Sequence, residues 1–184
     1  MPNAVAPGLF EPNTVNAIAA VANVVVAAIA LLVAGLSIRL SRRTLRGQTL
    51  HNKLSVRPLA YIATGNYESH IWVKIWNHGT GPLILKQVAV TGGAKPEKDL
   101  ISCMPPLPKA ISWTDYQVPW VGRPIPSGGN LILVELKGDD RDPAFVAFRD
   151  TCKSALKALT VTVRYTDIYN DEFIEARKLD WFGQ

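Results

Sequence analysis

Three histidines are the only side chains in this sequence suited to act as general bases near neutral pH: His51, His70 and His78. A serine or cysteine nucleophile needs such a base within hydrogen-bond reach. None of the three stands in a local Ser, Cys or Asp arrangement of the hydrolase or thiol-protease kind. Cys103 and Cys152 lack CxxC spacing and have no nearby histidine, which excludes a zinc framework and leaves their pairing open. Asp139, Asp140 and Asp142 in "KGDDRDP" are hard ligands of the type calcium takes. They lack calcium-hand spacing, Lys137 and Arg141 offset them, and a solvated turn running into a helix cap is the reading that fits. No glycine-rich phosphate loop, catalytic carboxylate pair or cofactor fingerprint is present, so the sequence is read as a non-enzyme with no cofactor and no metal.

What remains is chemistry of contact. "SWTDYQVPW" interleaves Trp113, Tyr116 and Trp120 with prolines and forms a candidate binding surface, or else covers an open end of the fold. It lies in a proline-rich stretch, 92–126, to which no continuous element can be assigned.

The elements that would carry these groups fall into two unlike parts. From Pro12 to Ile38 there is no charged residue, and about 20 apolar residues suffice to cross a bilayer. A soluble helix of that length would carry a wet face, whereas after Asn13 and Thr14 at its start this one has only Asn16, Asn23 and Ser37. A cleaved export signal has a basic start and a shorter apolar run, and here the basic residues follow the run. We therefore expect a tail over 1–12, a transmembrane helix over 13–38, a basic juxtamembrane helix or linker over 39–56, and a folded domain over 57–184.

Arg39, Arg42, Arg43 and Arg46 follow the apolar run with no acidic residue among them, and they read as membrane-interface anchors on lipid headgroups. The bias of Lys and Arg to the cytoplasmic side implies an outside N-terminus and a cytoplasmic domain, hence a single-pass inner (plasma) membrane protein. A cytoplasmic domain favours free thiols. The chain beyond Arg57 is net neutral, so the overall charge of +5 does not indicate a nucleic-acid partner.

Within the span, steps of four and three select Asn16, Ala20, Asn23, Ala27, Ala30, Ala34 and Ser37, all small or carboxamide. Small residues allow close helix approach, and an Asn in hydrocarbon gains from a cross-helix hydrogen bond. This is the expected helix-pairing face, toward a second copy or another membrane protein.

Beyond Arg57 the period shortens to two: Ile71, Val73 and Ile75 alternate with Trp72, Lys74 and Trp76. Strands are expected at "PLAYIAT", "IWVKIWN", "LILKQVAVT", "NLILVEL", "LTVTVRYTD" and "EFIEARKLDW", separated by Gly, Pro and Asn turns. One helix is expected at "DPAFVAFRDTCKSALKAL", capped by Asp142 and apolar at Phe145, Phe148, Cys152 and Leu156. The fold class is mainly β: a transmembrane helix, then an antiparallel sandwich with one short helix. Gly79 and Gly81 are expected to take positive φ in a hairpin turn, with Asn77 and Asp167 bonding their own turns.

The motifs "LHNKLSVRP", "IWNHGTGPLILKQVAV", "IPSGG" and "VRYTDIYNDEF", in that order, resemble a set of small bacterial proteins in which one N-terminal membrane helix precedes an immunoglobulin-like β-sandwich. The resemblance implies that fold and transfers no catalytic residue. The function expected is a membrane-tethered adaptor or accessory subunit. The alternative is an envelope-facing module that binds glycan on Trp113, Tyr116 and Trp120.

Overall fold

A computed structural model describes residues 12–183. The expected N-terminal tail therefore lies, apart from the backbone of Pro12, outside the described residues. The chain divides into two units, residues 1–51 and 52–184.

In the first unit, α1 (Pro12–Ser55) runs 44 residues without a break, its last turn falling in the second unit. Gly47 does not interrupt it, because an isolated glycine costs a helix only about 1 kcal/mol. Every described side chain from Asn13 to Asn52 is exposed, and the helix is long and apolar enough to cross a membrane.

The second unit is built from two four-stranded antiparallel sheets. The strands are β1 (Ala60–Asn66), β2 (His70–Asn77), β3 (Leu83–Thr91), β4 (Asp115–Tyr116), β5 (Pro124–Ile125), β6 (Asn130–Lys137), β7 (Thr160–Thr166) and β8 (Glu172–Lys178). The first sheet has the order β1-β2-β6-β4 and the second β5-β3-β7-β8. Alternation places Ile71, Val73 and Ile75 of β2 inward, where they join Leu83, Leu85, Val88 and Val90 of β3 and Val161 and Val163 of β7 in a single buried cluster. Burying each such side chain stabilises the fold by about 1.5–3 kcal/mol.

The passage from β6 to β7 is made by α2 (Pro143–Lys157). Asp142 caps it by accepting from the amide of Ala144 at 2.9 Å, and Pro143 opens the first turn. Phe145, Phe148, Cys152 and Leu156 point into the core, as their spacing predicts. A 3₁₀ turn at Asp180–Gly183 packs on α2 and buries Phe182.

β1, β3, β6 and β8 begin at the opposite end, where the chain arrives from α1, and there the turns grip residues 53–59. Leu59 N donates to Asn77 Oδ1 at 3.1 Å, His78 N to Leu59 O at 2.8 Å, and Lys53 meets Asp171 at 2.9 Å. Gly79 and Gly81 are not in the left-handed region, contrary to expectation: among the described glycines positive φ belongs to Gly92, Gly122 and Gly128. Their smallness serves packing instead. A Cβ at Gly81 would overlap the carbonyl of Val56, and one at Gly79 that of Arg57. In the turn after β7 it is Asn170 that adopts positive φ, 63°, while Asp167 Oδ1 accepts from the amides of Tyr169 and Asp171.

Candidate functional site

The residues of the expected pairing face all lie on α1 and all are exposed. At about 100° per residue, Asn16, Ala20, Asn23, Ala27, Ala30, Ala34 and Ser37 fall within an arc of about 100°. Because α1 continues through residue 38, the same row goes on through Ser41, Thr44, Gln48, His51 and Ser55. Arg39, Arg42, Arg43 and Arg46 stand at i, i+3, i+4 and i+7, so they form one face on the other side of the helix from the row.

Trp113, Tyr116 and Trp120 occupy three different settings. Trp113 packs against the core, edge-on to Phe148 with 5.9 Å between centroids. Tyr116 is exposed on β4 at the margin of the first sheet. Trp120 is 59% exposed beside β3 of the second sheet, with the Arg123 guanidinium 4.5 Å from its ring centre. Main-chain pairing of Arg123 with Leu85 holds its loop there.

A groove that the sequence reading did not anticipate lies where the margins of the two sheets meet, at β1 and β8. Tyr61, Gly65, Tyr67, Trp72, Arg177 and Trp181 line a volume of about 410 Å³. The Trp72 indole lies over Gly65, where a Cβ would overlap it. Register explains Arg177: it faces Val161 on β7, an inward position, so its guanidinium extends from the second sheet to the first. There Nη1 donates to the Ile62 carbonyl at 2.6 Å and to the Tyr61 hydroxyl at 3.1 Å. Only the inward-facing charge on an edge strand signals this in the sequence, and its partner lies 115 residues away.

Beside the groove Glu135 is nearly buried on the outer face of the first sheet, between His70 Nε2 at 2.7 Å, Lys137 Nζ at 3.2 Å and Lys74 Nζ at 3.5 Å. Burial alone would raise the Glu135 pKa. Hydrogen bonds from His70 and Lys137, with the charge of Lys74, outweigh burial and hold it below the usual value. Lys74 also stands 4.9 Å over the Trp72 ring, tying this cluster to the groove wall. The arrangement offers aromatic faces and cationic donors, which suit recognition of a partner.

Asp139 accepts from the amide of Arg141 and Asp142 caps α2, so both serve backbone turns. Among the described residues no three His, Cys, Asp or Glu side chains are grouped to hold a metal. Cys103 and Cys152 are both free thiols. No protein-family model matches the chain, and no curated protein matches it in sequence.

Proposed function

We propose that this chain is a single-pass inner-membrane protein whose domain is an immunoglobulin-like sandwich acting by binding, as a membrane-tethered adaptor or accessory subunit and not as an enzyme. The strand order supports the sandwich reading: β1-β2-β6-β4 corresponds to the A-B-E-D sheet of the constant-type fold and β3-β7-β8 to C-F-G. β5 is then an extra strand beside C, and α2 occupies the E–F connection.

The observation that carries the functional reading is α1 itself. It is uncovered and apolar, with a row of small or polar residues along one side and the arginines on the other. In a bilayer the first side favours close contact with another helix and the second favours headgroups. The arginines follow the span, so the N-terminus lies outside and the domain faces the cytoplasm. The partner is a second copy of the chain or another membrane protein.

Cys103 tests the orientation because it is half-buried and reachable, whereas Cys152 is buried. A thiol reagent that cannot cross the membrane is expected to leave Cys103 unlabelled in spheroplasts and to label it after permeabilisation. Labelling in intact spheroplasts would overturn the cytoplasmic placement and favour the envelope-facing alternative.

A further inference from the structure

The β1–β2 hairpin fixes which backbone groups of β1 face away from the sheet. Tyr67 and His70 exchange both main-chain hydrogen bonds, Tyr67 N to His70 O at 3.0 Å and His70 N to Tyr67 O at 3.4 Å. Counting back in steps of two, Gly65, Ala63 and Tyr61 are the bonded partners of Trp72, Lys74 and Trp76. The amides and carbonyls of Ala60, Ile62, Thr64 and Asn66 therefore point outward, away from β2.

At the first two of these positions a side chain from the second sheet takes a backbone group: the Tyr165 hydroxyl accepts from Ala60 N at 3.2 Å, and Arg177 donates to Ile62 O. At Thr64 and Asn66 neither the amide nor the carbonyl has a hydrogen-bond partner among the described residues. Open edges are usually blocked by charge, proline or a covering segment, as at β8, where Glu172, Glu175 and Lys178 are interspersed. β1 has no charged residue and no proline. Its open part instead forms one side of the aromatic groove, with Trp72 and Tyr67 toward the first sheet and Trp181 opposite.

The groove is also electrostatically one-sided. Arg177 engages both of its acceptors through Nη1, leaving Nη2 and Nε without hydrogen-bond partners among the described residues. No carboxylate lines the groove, and Asp180 close by is directed to Lys178 at 3.9 Å.

We propose that the outward edge of β1 at Thr64 and Asn66 is a strand-docking site for an extended acidic segment of a partner protein. The segment's main chain pairs with Thr64 and Asn66, its apolar side chains rest on Trp72, Tyr67 and Trp181, and its carboxylate meets Arg177. Main-chain pairing supplies affinity and the alternate side chains supply choice, as in other strand-addition interfaces. The proposal rests on reading the domain as a binding module, and it names the chemistry of what is bound.

The test uses the full chain in neutral detergent and fluorescein-labelled heptapeptides of alternating Thr and Val, with one Glu moved through the positions, against the same peptides bearing Lys. We expect at least one Glu peptide to bind tenfold or more tightly than its Lys counterpart. Thr64→Pro removes an outward amide and no β1–β2 bond, so it should lower binding at least tenfold with an unchanged circular dichroism spectrum. Arg177→Glu should reverse the preference toward Lys peptides, an outcome misfolding cannot produce. Equal binding of Glu and Lys peptides, or wild-type binding by a folded Thr64→Pro chain, would overturn the proposal. The broader reading is tested apart from this: a partner retained equally by wild-type, Thr64→Pro and Arg177→Glu chains overturns the docking edge and leaves the adaptor function standing. Peptide binding of the expected pattern with no partner recovered from membranes leaves the edge standing and overturns the adaptor function.

Discussion

The side-chain amide of Asn77, at the end of β2, donates to the carbonyl of Ile125 in β5 at 3.1 Å, a hydrogen bond that crosses from the first sheet to the second. The same nitrogen donates to Gly81 O at 2.8 Å, while Oδ1 accepts from the amides of Leu59 and Gly79. A fully buried carboxamide thus ties the start of β1, the β2–β3 turn and β5 together. Asn77→Ala would leave four backbone groups without these partners, each costing about 1–3 kcal/mol where water cannot reach, so a total loss of about 3–5 kcal/mol is expected after relaxation. Asn77→Asp keeps the two acceptor bonds but sets an oxygen against two carbonyls, and should be nearly as damaging. Thermal unfolding of the detergent-solubilised chain measures both. A loss below about 1 kcal/mol would show that the hub is dispensable.

Gly81→Ala and Gly47→Ala should move stability in opposite directions. At Gly81 the added methyl meets the Val56 carbonyl, so residues 53–59 must shift, and the cost is expected to be about 2 kcal/mol or more. At Gly47 nothing lies within 4 Å, and alanine favours helix by about 1 kcal/mol. Thermal unfolding reads the first, and slower amide exchange over residues 44–50 reads the second.

These glycines show where the sequence is legible and where it stops being so. Period-two alternation locates β2, short apolar runs between Gly, Pro and Asn turns locate the other five long strands, and the cap-plus-stripe pattern locates α2, because all of these signals are local. β4 and β5 are two residues each, too short for any periodicity to announce them; β4 pairs with β6, and β5 pairs with β3 and is anchored by the buried Ile125 and by Asn77. The turn signal at "HGTGP" is correct, but the reason for glycine there is the carbonyl of a segment some 25 residues earlier. The groove is less legible again: it joins Tyr61 and Trp72 to Arg177 and Trp181, more than a hundred residues apart, through the packing of the two sheets.

The Glu135 cluster predicts a pH dependence of definite sign. Its folded-state pKa is lowered from 4.5, so the unfolded chain binds the proton more readily and the stabilisation is present above about pH 4.5. It is lost as pH falls through the folded pKa, when the carboxylate ceases to accept from His70 and Lys137. Glu135→Gln should therefore lower the melting temperature at pH 7, with the gap to wild type closing as pH falls below 4.5. A gap independent of pH between 3 and 7 would contradict the cluster's charged state.

The two thiols should differ sharply in reactivity. Burial pushes the Cys152 thiol up to about 12, so almost no thiolate exists there at pH 8 and the sulfur is covered. Cys103 is half-buried, its thiol raised less by burial and by the charges of Glu97 and Asp99. Ellman titration of the native chain at pH 8 should consume one thiol slowly, and two after denaturation. Two rapid equivalents in the native chain would mean that α2 does not stay packed on the core.

Helix pairing is tested by comparing positions on the two sides of α1. Asn23→Leu removes a carboxamide able to bond across a helix pair, and Ala27→Leu adds bulk where close approach is expected. Each should weaken association by about 0.6–2 kcal/mol. Val25→Leu lies on the side of Arg39 and Arg43 and should change association little. A membrane-helix association assay with all three variants separates a face from general apolarity. If all three weaken association equally, or none does, the row from Asn16 to Ser37 is composition alone, since a contact surface must discriminate between positions two residues apart.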